Sequence, residues 1–285
     1  MKLSVFAAVV MFVAVIALVQ AQSDTPTADY LSAALVDQLS KSGGSIVADY
    51  TYDPGAGAED RTIMSFHYVR TPNALRLEEL GPGPVQRMVS TMDRQSNEYR
   101  QLQVETADRS WGSVNNKLVG GLFGIQITID PIYRFVDGSP LFETIRRGKV
   151  SPDQESIDGH PCWRVEILPK DETERVYKGY VVWLDPSVGF NPRKVKWNQK
   201  DDLPRPNVLN TEVKFLDYQD VGDGLWFPQR AEFVTTWDNG NTQTGEARIT
   251  GLEAGKNIPP EDVVVKFPTG TKVKDVTRQI EYTVP

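Results

Sequence analysis

The side chains best suited to acid–base or nucleophilic chemistry in this 285-residue chain are two histidines and one cysteine. His67 stands in a strand-like run, where a histidine is most often a polar neighbour. His160 lies in the turn 158–161, close to Cys162. Two histidines are too few for a three-histidine metal site, and a Ser-His-Asp triad would have to use one of them. We therefore predict no catalytic residue, no metal and no cofactor. A hydrolase that uses His160 or a carboxylate is kept as an alternative.

The cysteine and an acidic cluster both have ordinary structural explanations. Cys162 falls in a strand pattern, where a buried and inert thiol is commoner than a nucleophile. Asp217, Asp220 and Asp223 recur every third residue, whereas the common calcium loop needs ligands at every second position. We interpret these aspartates as an acidic hairpin turn.

The first 21 residues have the layout of a secretory signal peptide. Lys2 precedes an apolar run at 3–19, and a small-residue cleavage site ends at Ala21. An uncleaved anchor is the alternative, because 17 apolar residues are at the lower limit for spanning a bilayer. Polar residues follow at 20–27 without a stop-transfer cluster of basic residues. We predict cleavage after Ala21 and one mature domain, 22–285, without a membrane span.

The charge and the cysteine count narrow the class of protein. The net charge is −7, and loss of Lys2 leaves 30 basic against 38 acidic residues, or −8. An acidic chain without a basic cluster argues against nucleic acid and against docking on anionic lipid. One cysteine cannot form an internal disulfide, so the exported chain depends on its core for stability. These features predict a protein of the periplasm or cell envelope.

Apolar periodicity predicts one helix and then a large sheet. Leu31, Ala34, Leu35 and Leu39 recur at helical spacing, which predicts a helix over 28–42 that ends at two glycines. Most of the remaining chain alternates apolar and polar residues, which is typical of half-buried strands. The clearest runs are 63–70, 163–167, 194–198 and 230–237. About eleven strand candidates at hairpin-like spacing predict a mainly β protein with one antiparallel sheet.

The segment 117–145 interrupts this alternation. It is apolar and rich in glycine, without a clean helical or strand period. One interpretation is a plug that fills the inner face of the sheet as core. The other is a movable lid over a ligand cavity, with Gly120, Gly121 and Gly124 as flexible points.

Three segments resemble the LolA-like superfamily of periplasmic lipoprotein carriers and outer-membrane lipoprotein-sorting proteins. They are the hairpin at 181–195, the strand pair at 213–228 and the closing stretch at 258–275. The resemblance implies a curled, incompletely closed antiparallel β-barrel of about eleven strands, with helices covering its concave side. It also implies an apolar cavity that holds acyl chains, and no shared catalysis.

The predicted function is that of an exported carrier or binding protein for a lipid, a lipoprotein acyl group or another apolar ligand. We expect lipid or lipoprotein acyl chains as partners, with an envelope protein as a further candidate partner, and no nucleic acid. An envelope sensor or protein-interaction module with a filled core is the alternative. The strand at 181–184 is apolar on both faces, so its inward residues are ambiguous. The residues predicted to line the cavity are Leu122, Phe123, Trp163, Val165, Val181, Trp183 and Phe215.

Overall fold

The fold is seen in a computed structural model of the chain. Both the predicted signal peptide, 1–21, and the predicted site residues Leu122 and Phe123 lie outside the described residues. The described residues are 25–55, 62–80, 87–93, 96, 98–106, 109–115, 130–132, 139–169, 177–199 and 208–285.

Helix α1 (Ala28–Ser40) begins at a capped residue and is followed by a 3₁₀ turn at Lys41–Gly44. The Thr27 side chain accepts a hydrogen bond from the Tyr30 backbone N–H, which satisfies a donor left free at the helix start. The helix predicted over 28–42 is therefore confirmed. Two short helices follow, α2 (Leu141–Thr144) and α3 (Pro260–Val263). None of the described helices is long and apolar enough to cross a membrane.

Strands make up most of the described chain. They are β1 (Ile46–Asp53), β2 (Met64–Arg70), β3 (Ala74–Leu80), β4 (Arg87–Asp93), β5 (Glu98–Thr106), β6 (Arg109–Asn115), β7 (Gly148–Ile157), β8 (His160–Ile167), β9 (Tyr177–Asp185), β10 (Asn191–Gln199), β11 (Val208–Asp220), β12 (Trp226–Trp237), β13 (Thr242–Ala254), β14 (Lys272–Asp275) and β15 (Ile280–Thr283).

All fifteen described strands belong to one curled sheet that does not close. Its order is β15-β14-β6-β5-β4-β3-β2-β1-β13-β12-β11-β10-β9-β8-β7. Two antiparallel meanders, β1 to β6 and β7 to β13, are joined where β1 pairs with β13. The hairpin β14–β15 extends the first meander, and β14 runs parallel to β6.

This sheet differs from the prediction in two respects. It has fifteen strands among the described residues rather than about eleven, and it contains one parallel pair. The last two strands are only four residues long, so they carry too few positions for alternation to reveal them. The parallel pair depends on a long-range contact that no local pattern encodes.

The main core lies on one face of the sheet and includes the apolar side of α1. Leu31 and Leu35 of this helix are fully buried within it. The described helices thus contribute to the core, and a complete cover of the concave side by helices stays a prediction. Strand residues of this core include Ile46, Tyr50, Phe66, Leu77, Val165, Val182, Val213 and Phe215.

A second, smaller core lies on the opposite face of β4 and β5. Val89 and Leu102 pack there against Val265, which follows α3 in the chain. Val265 N also donates a hydrogen bond to Thr91 Oγ1 at 3.4 Å. The chain after α3 therefore covers the outer surface of these strands.

Candidate functional site

An apolar cleft of about 570 Å³ opens where the start of α1 meets β7, β8 and the turn after β9. None of the described residues that line it carries a charge. Apolar rings and prolines dominate its walls, with two threonines and one glutamine among them. The lining residues are Thr25, Pro26, Thr27, Tyr30, Gln154, Trp163, Pro186 and Phe190.

Two aromatic side chains from distant parts of the sequence form one wall of this cleft. Tyr30 lies in the first turn of α1, whose start is fixed by the Thr27 cap. Its ring contacts the Phe190 ring edge to face, with centroids 5.6 Å apart and an interplanar angle of 88°. This geometry is one that aromatic pairs prefer, so the contact ties the helix start to the turn.

The turn that carries Pro186 and Phe190 is held by the carboxylate of Asp185. Asp185 Oδ1 accepts hydrogen bonds from Ser187 N at 2.8 Å and Ser187 Oγ at 2.6 Å. Phe190 has a φ of 61°, which non-glycine residues seldom adopt. Its N–H donates to the Asp185 carbonyl at 2.8 Å. These bonds fix the backbone that presents both cleft residues.

A buried ion pair supports this turn from below. Arg193 Nε donates to Asp185 Oδ2 at 2.7 Å, and the Asp185 side chain is inaccessible to solvent. The guanidinium also lies 4.7 Å from the centroid of the Tyr218 ring, in a cation–π contact. Burial alone would raise the pKa of Asp185, but hydrogen bonds from Ser187 and Arg193 outweigh it, so that the pKa is lowered.

His160 and Cys162 lie beside this ion pair, and the state of the Cys162 thiol does not suit nucleophilic catalysis. His160 Nδ1 is 3.4 Å from Asp185 Oδ2. The Cys162 side chain is fully buried, and burial together with the Asp185 charge raises the pKa of its thiol to about 12. The thiolate is the reactive form, so Cys162 is inert at neutral pH.

Three of the other polar groups singled out in the sequence have structural partners. His67 Nδ1 lies 2.6 Å from Asp49 Oδ1 on the face opposite the main core. Asp217 Oδ2 accepts from Arg230 Nε at 2.9 Å, and Asp220 Oδ1 accepts from Gly222 N at 2.9 Å. These bonds belong to the β11–β12 hairpin. Within the described part of the chain, no group of three or more acidic, histidine or cysteine side chains is placed to hold a metal ion.

The predicted cavity residues separate into three groups. Trp163 lines the cleft. Val165 and Phe215 lie in the main core, fully buried. Val181 and Trp183 lie on the opposite face, because their neighbour Val182 pairs with Val165 in the core. The structure therefore does not bring Val181 and Trp183 together with the other described residues, which corrects their predicted orientation. A contact of any of the seven with a ligand stays a prediction.

Trp183 has its own surroundings on the outer face. Its Nε1 donates to Glu155 Oε2 at 2.7 Å. On the neighbouring strand β10, Lys194 Nζ lies 5.1 Å from the ring centroid. On β8, the other neighbour, the Arg164 guanidinium lies 6.0 Å from the same centroid. The polar neighbours explain why a large indole is tolerated on this face.

Sequence reasoning missed Tyr30, Pro186 and Phe190 as cleft residues. Tyr30 is 56% exposed although it precedes the buried Leu31, and Phe190 directly follows a turn glycine. An aromatic ring at the exposed position 30, and another at the half-buried turn position 190, were the available signal. Nothing in the local pattern indicates that the two positions meet.

The described parts of the segment 117–145 are anchored in the core. Asp130 is buried, and its Oδ2 accepts from Arg70 Nη1 at 2.6 Å and from Tyr68 Oη at 3.1 Å. Ile132 and Ile145 belong to the main core. These parts fit the plug interpretation, while the three glycines of the proposed lid lie outside the described residues.

The comparisons with known proteins concern the fold. No family model matches the chain, and no curated protein matches it. A LolA superfamily protein of Nitrosomonas europaea has a TM-score of 0.54 at 12% identity, over 84% of this chain and 98% of that one. A structure described as an outer membrane lipoprotein-sorting protein domain, from Vibrio parahaemolyticus, has a TM-score of 0.45 at 14% identity, over 82% and 94%.

A protein of Desulfovibrio piger, from a family named for a domain of unknown function, also has a TM-score of 0.45, at 13% identity over 81% of this chain and 93% of that one. This chain has a curled, unclosed sheet with the start of α1 packed against it. At these identities the likeness concerns architecture alone. The likeness to the Nitrosomonas europaea structure, whose TM-score is above 0.5, gives the chain a LolA-like fold, as the three sequence segments predicted.

Proposed function

We propose that the mature protein is an exported carrier or binding protein for an acyl chain or a similar apolar ligand in the cell envelope, without catalytic activity. The observation that carries this proposal is the uncharged, aromatic cleft between α1 and the turn at Pro186. The LolA-like fold and the signal-like first 21 residues support the envelope location.

The size and lining of the cleft suit an apolar chain. Its volume of about 570 Å³ is within the range of roughly 300–1,000 Å³ that is typical of small-molecule sites. Each methylene that leaves water contributes about 0.8 kcal/mol, so a chain of some ten carbons in the cleft gains on the order of 8 kcal/mol before ordering costs. The described lining residues carry no charge that has to be desolvated, and therefore they take little of this gain.

The proposal is tested with two tryptophan variants on neighbouring strands, which lie on opposite faces of the sheet. Trp163→Ala removes a wall of the cleft, whereas Trp183→Ala removes an indole from the outer face of the same sheet. We expect Trp163→Ala to weaken binding of a fluorescent C16 fatty-acid probe at least tenfold. Trp183→Ala is expected to retain the affinity of the unaltered protein.

Native mass spectrometry of the protein isolated from its own envelope supplies the second test. A co-purified mass of lipid size that is lost in Trp163→Ala supports the proposal. Equal probe affinity in both variants, with circular dichroism showing that both are folded, would contradict it. The predicted residues Leu122 and Phe123 are tested in the same assay, with Asp at either position expected to abolish probe binding.

The burial of Ile132 and Ile145 in the main core favours a second candidate, a protein-interaction module whose interior is filled. In that case the fatty-acid probe does not bind the unaltered protein at all. The two candidates therefore differ in the first measurement, before any variant is made.

A further inference from the structure

The two edges of the sheet are protected to different degrees. At one edge, β7 carries Pro152, which has no N–H to offer, and a register shift lies between Val150 and Gln154. Thr25 Oγ1 also donates to the Pro152 carbonyl at 3.1 Å. Proline, bulges and covering contacts are the usual means by which a sheet edge avoids pairing with another strand. The β7 edge is thus blocked.

The other edge, β15, has none of these protections among the described residues. It contains no proline and pairs with β14 in a regular register. Its two apolar side chains are exposed, Ile280 by 47% and Tyr282 by 41%. An exposed apolar edge strand of this kind is a template for another strand.

The backbone of β15 shows which groups are available. Val284 N donates to the Thr271 carbonyl, so the N–H groups at 282 and 284 point toward β14. The backbone N–H and C=O groups of successive residues point alternately to the two sides of a strand. The N–H and C=O groups of Glu281 and Thr283 therefore point away from the sheet and have no described strand beside them.

The β15 sequence is self-complementary in one antiparallel register. When Tyr282 lies on a two-fold axis, it faces Tyr282 of a second copy, and Ile280 faces Val284. Glu281 then faces Thr283, and these are the residues whose backbone groups are free to form the ladder. Apolar side chains meet on one face and polar side chains on the other.

Charge also favours a second copy as the occupant. Glu281 lies opposite the neutral Thr283 in this register, so no like charges face each other directly. On the same face, β14 presents Lys272 behind Thr283 and Lys274 behind Glu281. Each Glu281 therefore has Lys274 of its own copy on one side. On the other side, beyond the Thr283 that it faces, lies Lys272 of the second copy. Opposite charges on neighbouring strands stabilise such a ladder.

We propose that β15 is a docking edge for β15 of a second copy, in an antiparallel pair centred on Tyr282. The strand is short, so the interface is smaller than the roughly 1,200 Å² of stable complexes, and the dimer is weak and concentration-dependent. This proposal is independent of the ligand proposed above.

Cysteine cross-linking tests the register. In the proposed pair, position 282 faces itself across a non-hydrogen-bonded pair, where Cβ atoms are about 5 Å apart and a disulfide can form. Position 280 of one copy is about 13 Å along the strand from position 280 of the other. We expect Tyr282→Cys to form a disulfide-linked dimer under mild oxidation and Ile280→Cys to form little. The native Cys162 is fully buried and does not compete.

Sedimentation velocity from about 10 μM to 1 mM tests the association itself. We expect the unaltered chain to shift toward dimer as its concentration rises. The variant Tyr282→Lys places two lysines face to face, and we expect it to weaken dimerisation at least tenfold. Val234→Lys is the matched control, since Val234 is an exposed apolar residue on the central strand β12. A monomer over the whole range, or equal cross-linking at 280 and 282, would overturn the proposal.

Discussion

Arg193 donates from Nε to Asp185 Oδ2 across the tight turn that carries Pro186 and Phe190 to the cleft. The two residues stand at opposite ends of this turn, on β9 and β10. The pair is buried, and the carboxylate also receives two hydrogen bonds from Ser187. The ion pair thus fixes the shape of one cleft wall.

Asp185→Ala removes the carboxylate and leaves Arg193 largely buried. We expect a loss of about 3–5 kcal/mol in the free energy of unfolding, the usual effect of removing one partner of a buried pair. Urea denaturation followed by tryptophan fluorescence measures this loss. Asp158→Ala is the control, because its pair with Lys214 is exposed and such pairs contribute under about 1 kcal/mol. Equal losses in the two variants would contradict a structural role for the buried pair.

The same carboxylate predicts a pH dependence of stability. The pKa of Asp185 is lowered in the folded protein. The contribution of this carboxylate to the free energy of unfolding is therefore complete above the pKa of about 3.9 that it has in the unfolded chain, and it declines as the pH falls through the lower pKa of the folded protein. We expect the difference in unfolding free energy between the unaltered chain and Asp185→Ala to be constant from pH 5 to 7. Below pH 4 the difference should narrow, and a constant difference down to pH 2.5 would be inconsistent with the lowered pKa.

The Cys162 thiol should be unreactive in the folded protein. Burial raises its pKa to about 12, and the side chain is inaccessible. At pH 8 we expect almost no reaction with a disulfide reagent such as DTNB over an hour, and one equivalent of thiol after addition of 6 M guanidinium chloride. Rapid reaction of the native protein would reopen the possibility of a nucleophilic cysteine.

The buried pair of Arg70 and Asp130 anchors the described residues 130–132, in the middle of the segment 117–145, to β2. Asp130→Ala removes the carboxylate that Arg70 and Tyr68 both contact, and we expect a loss of about 3–5 kcal/mol in unfolding free energy. The double variant Arg70→Met with Asp130→Leu replaces the pair by apolar side chains and should recover most of the loss. Thermal and urea unfolding of the single and double variants check this. A double variant with a lower free energy of unfolding than Asp130→Ala would contradict it.

The alternation of apolar and polar residues predicted which side chains point inward where one face of a strand is polar. It did not predict this where both faces are apolar. The run at 163–167 placed Val165 inward because Arg164 and Glu166 need water. The run at 181–184 offers no such contrast, and the polar group that satisfies the Trp183 indole is Glu155 on another strand. Its face could be assigned only from the sheet.

The cleft was only partly predictable for a related reason. The face on which Trp163 lies was predictable because its strand alternates between apolar and polar residues. Tyr30 and Phe190 lie 160 residues apart, and their edge-to-face contact depends on how α1 docks on the sheet. Local patterns describe elements, whereas a cleft between elements is a property of their packing.

The pairing of β1 with β13 has a consequence for how the chain folds. Each meander is built from neighbouring hairpins, but residues 46–53 must find residues 246–254 to join the two meanders. Such distant pairings slow folding because the closure of a long loop precedes any gain from the contact. The sheet therefore cannot be completed until nearly the whole chain is available.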